Sequence, residues 1–311
     1  MPNKKVISNS LFLIAFFCFW LVDPVYSATT LVMDAADSTG KWDKRVVTQR
    51  VVAFSAKPLS KSEVRCYVAS PGKYQLFAYI YHNWENAVPC IYVEAIDAKG
   101  VKHKGYHRIE NIWYRDKVSS GRWFFVSLAQ NPYWELPQGD LIIRFWADAE
   151  KAVWDERKVP MEDGISIDKF FLVPVSGSDA ELTLPYFIYP ESGEGNWENL
   201  AYDNQYATNL IKTGRNNAYY SLMMFMPNSG YYTLGISAFS LKDNNFTLSF
   251  EGKTTKQNTD VAVRANKNWS FVYTHPVYLS RGNYKLTLKH LGQNEILLDY
   301  LLVCPDPKKE N

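Results

Sequence analysis

A pattern repeated in the second half of the chain constrains the fold more than any single residue. Ser70–Leu76 returns as Asn228–Leu234 at an offset of 158, and Gly121–Val126 as Lys267–Val272 at 146. Gln138–Leu141 matches Arg281–Tyr284 at 143, and Ile167–Pro174 matches Leu298–Pro305 at 131. The order is kept while the offset falls, so the second copy carries the same elements on shorter loops. Two copies in 311 residues make two small domains rather than a solenoid.

Period-two alternation dominates, and helical periodicity is scarce. Tyr74, Leu76, Ala78 and Ile80 point one way, and Gln75, Phe77, Tyr79 and Tyr81 the other. Tyr232, Leu234, Ile236 and Ala238 repeat the first set with the small and large residues exchanged, which conserves core volume. Further strands are expected near 63–69, 90–97, 123–129, 140–147 and 165–174. Their counterparts are expected near 218–226, 245–250, 269–274, 283–289 and 295–303. The intervening turns carry Pro-Gly, Asn-Ser-Gly and Arg-Gly-Asn, residues that accept positive φ. The fold class is therefore all-β, with two tandem β-sandwich domains at 29–176 and 180–306 and a tail at 307–311.

Lys4 and Lys5 precede an apolar run from Leu11 to Val22, followed by small residues at Ser27 and Ala28. This has the form of a secretory signal peptide over residues 1–28, too short to span a bilayer as a helix. The expected location is secreted, periplasmic or at the cell surface, with no transmembrane segment in the mature chain. Cys66, Cys90 and Cys304 remain after the leader. Cys66 and Cys90 either pair across neighbouring strands or are buried thiols. A net charge of +2 gives no electrostatic footprint for nucleic acid. Aromatic residues make up 15%, and Trp42, Trp84, Trp113, Trp123, Trp134, Trp146 and Trp154 all fall in the first repeat.

Taken together, the strand motifs resemble the galactose-binding-like β-jelly-roll carbohydrate-binding modules, particularly families 6 and 35. Leu31–Asp37 is similar to their acidic first strand, Pro71–Leu76 to their Gly-x-Tyr-x-Leu strand and Leu136–Arg144 to the strand before the last. Ile165–Phe170 and Ile296–Leu301 are similar to the closing Ile-Asp strand. The resemblance implies non-catalytic polysaccharide recognition through loops at one end of each sandwich. It also implies a structural calcium in the first repeat, with Asp34 and Asp168 as ligands. The family's second acidic position falls on Ala36, and the second repeat lacks the acidic strand, which speaks against calcium there.

A sugar offers a flat CH face and a rim of hydroxyls, so a site for it needs aromatic rings beside Asn, Asp or Arg. The candidate ligand residues are Asn83, Trp84, Tyr106, Trp113, Tyr114 and Arg115, then Trp154, Asp155 and Arg157 in an insertion at 147–164. In the second repeat the candidate is Trp197, which can stack a sugar or pin its loop to the core. Trp123 and Trp269 recur at one strand position and are read as core; Trp134 and Trp146 are read as packing residues.

Catalytic motifs of the metalloprotease, serine-hydrolase and P-loop kinds are absent from the sequence. Tyr106, His107 and Arg108 raise a polysaccharide lyase as an alternative, although a strand throws neighbours to opposite faces. A second alternative is an adaptor binding another exported protein, because Trp and Tyr also dominate protein interfaces. Asn245 and Asn268 begin glycosylation sequons.

Overall fold

The computed structural model describes residues 30–82, 88–108, 122–128, 133–150, 164–175, 186–188, 192–203, 205–206 and 208–305. The first half contains β1 (Leu31–Asp34), β2 (Thr39–Gly40), β3 (Asp43–Val47), β4 (Arg50–Ser55), β5 (Ser62–Val68) and β6 (Gly72–His82). It continues with β7 (Val88–Ile96), β8 (Lys102–Arg108), β9 (Arg122–Ser127), β10 (Trp134–Leu136), β11 (Gly139–Glu150) and β12 (Ile165–Pro174). In the second half come β13 (Tyr186–Ile188), β14 (Glu194–Gly195), β15 (Glu198–Asp203), β16 (Thr208–Thr213), β17 (Tyr219–Met226) and β18 (Gly230–Phe239). The last six are β19 (Asn244–Glu251), β20 (Lys256–Val263), β21 (Ser270–Tyr273), β22 (Val277–Leu279), β23 (Gly282–His290) and β24 (Ile296–Pro305).

Each half is a jelly-roll sandwich of a seven-stranded and a five-stranded antiparallel sheet. The five-stranded sheets run β2-β5-β11-β7-β8 and β14-β17-β23-β19-β20. The seven-stranded sheets match in the same way, so every strand of the first half has its counterpart twelve strands on. The duplication seen in the sequence is thus complete at the level of topology.

Alternation builds both cores. Leu141, Ile143, Phe145 and Ala147 of β11 meet Tyr74, Leu76, Ala78 and Ile80 of β6 in one buried cluster, and their counterparts form a second. Removing such side chains from water is the main favourable contribution to each sandwich, at about 25 cal/mol per Å² of apolar surface.

The closing strands break the alternation in the same way. In β12, Ile165 and Ile167 face the core, then Phe170 and Leu172; the pairing with β6 shifts register between Ile167 and Lys169. In β24 the core side is Ile296 and Leu298, then Leu301 and Val303, with a register shift against β18 at the matching place. An extra residue in a strand bends it and re-aims a side chain. Here the bulge turns Asp168 and Asp299 outward from their own cores.

Those outward faces are not solvated, because the two seven-stranded sheets bury a third cluster between the sandwiches. Phe77, Tyr79, Trp123, Phe171 and Val173 from the first meet Tyr300, Leu302 and Cys304 from the second. Trp123 and Trp269 are therefore buried, as their recurrence suggested, but between the two domains. The β3–β4 turn is wedged here, with Thr48 and Gln49 both in the left-handed region at φ 46° and 66°. Thr48 Oγ1 accepts from the Trp123 indole at 2.7 Å, and the Gln49 carbonyl from the Trp269 amide at 2.9 Å. Two strained non-glycine residues persist because the surroundings over-determine them.

Cys66 and Cys90 do not lie on neighbouring strands. β11 runs between β5 and β7, and Cys66 is opposite Leu141 while Cys90 is opposite Asp148. None of Cys66, Cys90 and Cys304 is in a disulfide, so the pairing alternative is set aside.

Candidate functional site

Most of the loop residues expected to meet a sugar, Asn83, Trp84, Trp113, Tyr114, Arg115, Trp154, Asp155 and Arg157, lie outside the described residues. The signal-peptide segment does too. Trp197 is 4% exposed and sits edge-on to His290 in the second core, so it has the pinning role and presents no face to a ligand. Asp34 and Asp168 are both engaged by the Lys169 ammonium, at 3.5 Å for Asp168, and Asp168 also accepts from Arg50 at 3.0 Å. The carboxylates that the resemblance assigns to calcium thus both face an internal cation. Among the described residues no group of three His, Cys, Asp or Glu side chains could hold an ion.

Tyr106 lies on β8, where alternation separates it from His107. His107 Nδ1 lies 3.0 Å from the Ser127 carbonyl, on the side away from Tyr106. The two do not form the acid–base pair that a lyase site would need.

Tyr106 instead belongs to a feature the sequence reading missed. With the seven-stranded sheet covered by the second sandwich, none of the described residues covers the outer face of the five-stranded sheet. Two rows of side chains cross it, set by register. One is aromatic: Trp146 of β11 lies opposite Tyr92 of β7, which lies opposite Tyr106 of β8. Ring centroids are 5.6 Å apart for Trp146 and Tyr92, which are nearly parallel at 8°, and 5.1 Å for Tyr92 and Tyr106. Lys61 closes the row, its ammonium 4.6 Å from the Trp146 ring centroid.

The second row is charged: Glu63, Arg144, Glu94 and Lys104 lie opposite one another across β5, β11, β7 and β8. Glu63 accepts from Arg65 at 2.7 Å and from Arg144 at 3.2 Å, and these bonds hold its carboxyl below the usual glutamate range. Glu94 lies 3.6 Å from Lys102 and 3.9 Å from Arg144.

Between the rows run two hollows. One of about 480 Å³ is lined by Tyr92, Tyr106, Trp146, Glu94 and Lys104. The other, of about 370 Å³, is lined by Trp146, Lys61, Glu63, Glu94 and Arg144. Trp146 forms part of both. A groove with one aromatic and one charged wall matches a ligand that has an apolar CH face and a polar rim.

The second sandwich supplies an internal comparison. Its register puts Lys289 opposite Thr247 and Thr247 opposite Asp260, where the first sandwich has Trp146, Tyr92 and Tyr106. The two topologies are the same, so the ring row is not a requirement of the fold. Tyr92 was not singled out and Trp146 was read as a packing residue, because each, taken alone, is one aromatic residue in a strand. The usable signal was their parity: Tyr92 alternates out of phase with the core residues Ile91, Val93 and Ala95, and Trp146 with Phe145 and Ala147.

No protein-family profile matches the chain, and no curated protein matches it. Several solved structures are similar. A family 6 carbohydrate-binding module from a Cellvibrio mixtus lichenase, solved with cellotriose, is 16% identical, with a TM-score of 0.34, over 40% of this chain and 99% of that one. The tandem family 22 modules of a Paenibacillus barcinonensis protein are 9% identical, with a TM-score of 0.31, over 89% and 97% of the two chains. A family 35 module in complex with a glucuronic acid-containing disaccharide is 22% identical, with a TM-score of 0.27, over 29% and 68%.

Proposed function

We propose that this chain is an exported, non-catalytic polysaccharide-binding protein, and that the groove between the ring row and the charged row of the first sandwich is a sugar-binding surface. One observation carries the reading: Trp146, Tyr92 and Tyr106 form an unbroken row bordering two hollows, at positions where the same fold elsewhere in the chain has Lys289, Thr247 and Asp260. Sugar CH groups would meet the outward edges of the rings, whose faces are turned to one another and to Lys61, while Glu94, Arg144 and Lys104 would meet hydroxyls. The loops bearing Trp84, Trp113 and Trp154 are proposed to extend the contact. A shallow site leaves little surplus after ordering costs, so affinity per site would be weak.

Titration calorimetry against a panel of soluble polysaccharides tests the proposal. At least one glycan should bind, and Trp146→Ala should weaken that binding about tenfold through loss of buried ring area and of the support it gives Tyr92. Tyr92→Ala should act in the same direction. If a bound glycan is unaffected by both substitutions, this groove is not the site.

A further inference from the structure

The charge inventory of the groove is unequal, and the inequality bears on the ligand. Both carboxylates in it are engaged: Glu63 by Arg65 and Arg144, Glu94 by Lys102 and Arg144. Two cations differ from these. Lys61 lies over the Trp146 ring and lines the smaller hollow, and Lys104 lines the larger. Both are exposed, and among the described residues neither has a carboxylate within ion-pair distance. The groove therefore presents one such ammonium at each hollow, Lys61 at the end of the aromatic wall and Lys104 at the far end of the charged one.

From this geometry we infer that the ligand is a linear anionic glycan, one whose sugars carry carboxylate or sulfate groups. The inference rests on the groove being the sugar site. Lys61 immediately precedes β5 and Lys104 is on β8, with β11 and β7 between those two strands. At an interstrand spacing of about 4.8 Å and a rise of about 3.3 Å per residue, three gaps and a two-residue offset put their backbones roughly 16 Å apart. A lone charged end group reaches only one of them, whereas a chain with anionic groups on successive sugars reaches both. The Lys61 ammonium lies over the Trp146 ring and Lys104 lines the hollow beside Tyr106, so an anion held by either one lies next to the ring row. Charge steers the chain into the groove and the outward ring edges meet its CH groups.

The test is calorimetry on the whole chain with three probes: polygalacturonate, a sulfated galactan and an unsubstituted β-glucan, each at about 20 mM and about 300 mM salt. One or both anionic probes should bind about tenfold more tightly than the glucan at low salt, a preference that shrinks at high salt. Comparison of the two anionic arms identifies carboxylate or sulfate. Lys61→Gln and Lys104→Gln, on exposed side chains, should each reduce that affinity about twofold to fivefold and flatten its salt dependence. Equal binding of all three probes, lost in Trp146→Ala but untouched by the lysine variants, overturns the anionic preference and leaves the groove standing. Anionic binding that survives Trp146→Ala is ion exchange elsewhere and overturns both. Failure of all three probes to bind also overturns both.

Discussion

Arg50 of the first sandwich donates through Nη2 to Asp299 of the second at 2.5 Å, with both side chains almost wholly buried. Its Nη1 donates to Asp168 at 3.0 Å, and its guanidinium lies 4.5 Å from the Trp269 ring and 5.2 Å from that of Trp123. Asp299 accepts further from Tyr79 and Thr208, both at 2.8 Å. The two aspartates are repeat-related, and so are the two tryptophans. Arg50 has Thr208 as its counterpart, so a duplicated pair of surfaces is joined by one unduplicated cation.

Breaking a buried pair strands a charge, at a cost of about 3–5 kcal/mol. Arg50→Met should therefore lower stability by about that much and split a single guanidinium-induced transition into two, one per sandwich, as read by tryptophan fluorescence. Changing Arg50, Asp168 and Asp299 together to apolar residues should cost far less, because no unpaired charge remains. Equal losses in the single and triple variants would show that the ions themselves hold the domains together.

The Asp97 carboxylate supports the hairpin that carries Tyr92 and Tyr106. It accepts from the Lys99 and Val101 amides at 2.9 Å and faces His103 Nε2 at 2.9 Å. Burial pushes its pKa up, but His103 and the two amides outweigh this and leave it below the usual aspartate value. A depressed acid contributes stability above its unfolded pKa of about 3.9, lost as pH falls through the folded value. Asp97→Ala should cost about 1–2 kcal/mol at neutral pH. Urea melts should show that difference shrinking below about pH 4. A pH-independent difference would mean that ionisation of Asp97 contributes nothing.

Gly105 lies between Lys104 and Tyr106, where β8 passes so close to Leu128 that an added Cβ would meet its carbonyl oxygen and lie 2.6 Å from Val93 Cγ2. Backbone atoms cannot swing aside as side chains do. Gly105→Ala should force β8 outward, cost about 1–3 kcal/mol and weaken glycan binding by displacing Tyr106. Unchanged melting and binding would show that the strand absorbs a methyl group without moving the ring.

Burial pushes the Cys66 thiol up to about 11, so little of it is thiolate near neutrality. With Cys90 and Cys304 also buried, thiol reagents at about pH 8 should label the native chain far more slowly than the unfolded one. Added reductant should leave the melting temperature unchanged. A drop on reduction would demonstrate a disulfide.

Local pattern carried much of the architecture. Side-chain parity on β6 and β18 was legible because a strand alternates with period two whatever surrounds it. The repeat was legible because equivalent strands bury equivalent faces. Even the bulges were written in the phase slip from Ile165 and Ile167 to Phe170 and Leu172, repeated from Ile296 and Leu298 to Leu301 and Val303. What local pattern could not supply was the identity of the neighbour beyond each face. Phe77 and Tyr79 had the parity of solvent-facing residues and are buried because another sandwich covers them. Trp146, Tyr92 and Tyr106 are far apart in the chain and become one row only through the pairing of three strands. Period and propensity act over a few residues and are present in the sequence itself; register between distant strands and the docking of one sheet on another are decided by the whole folded chain.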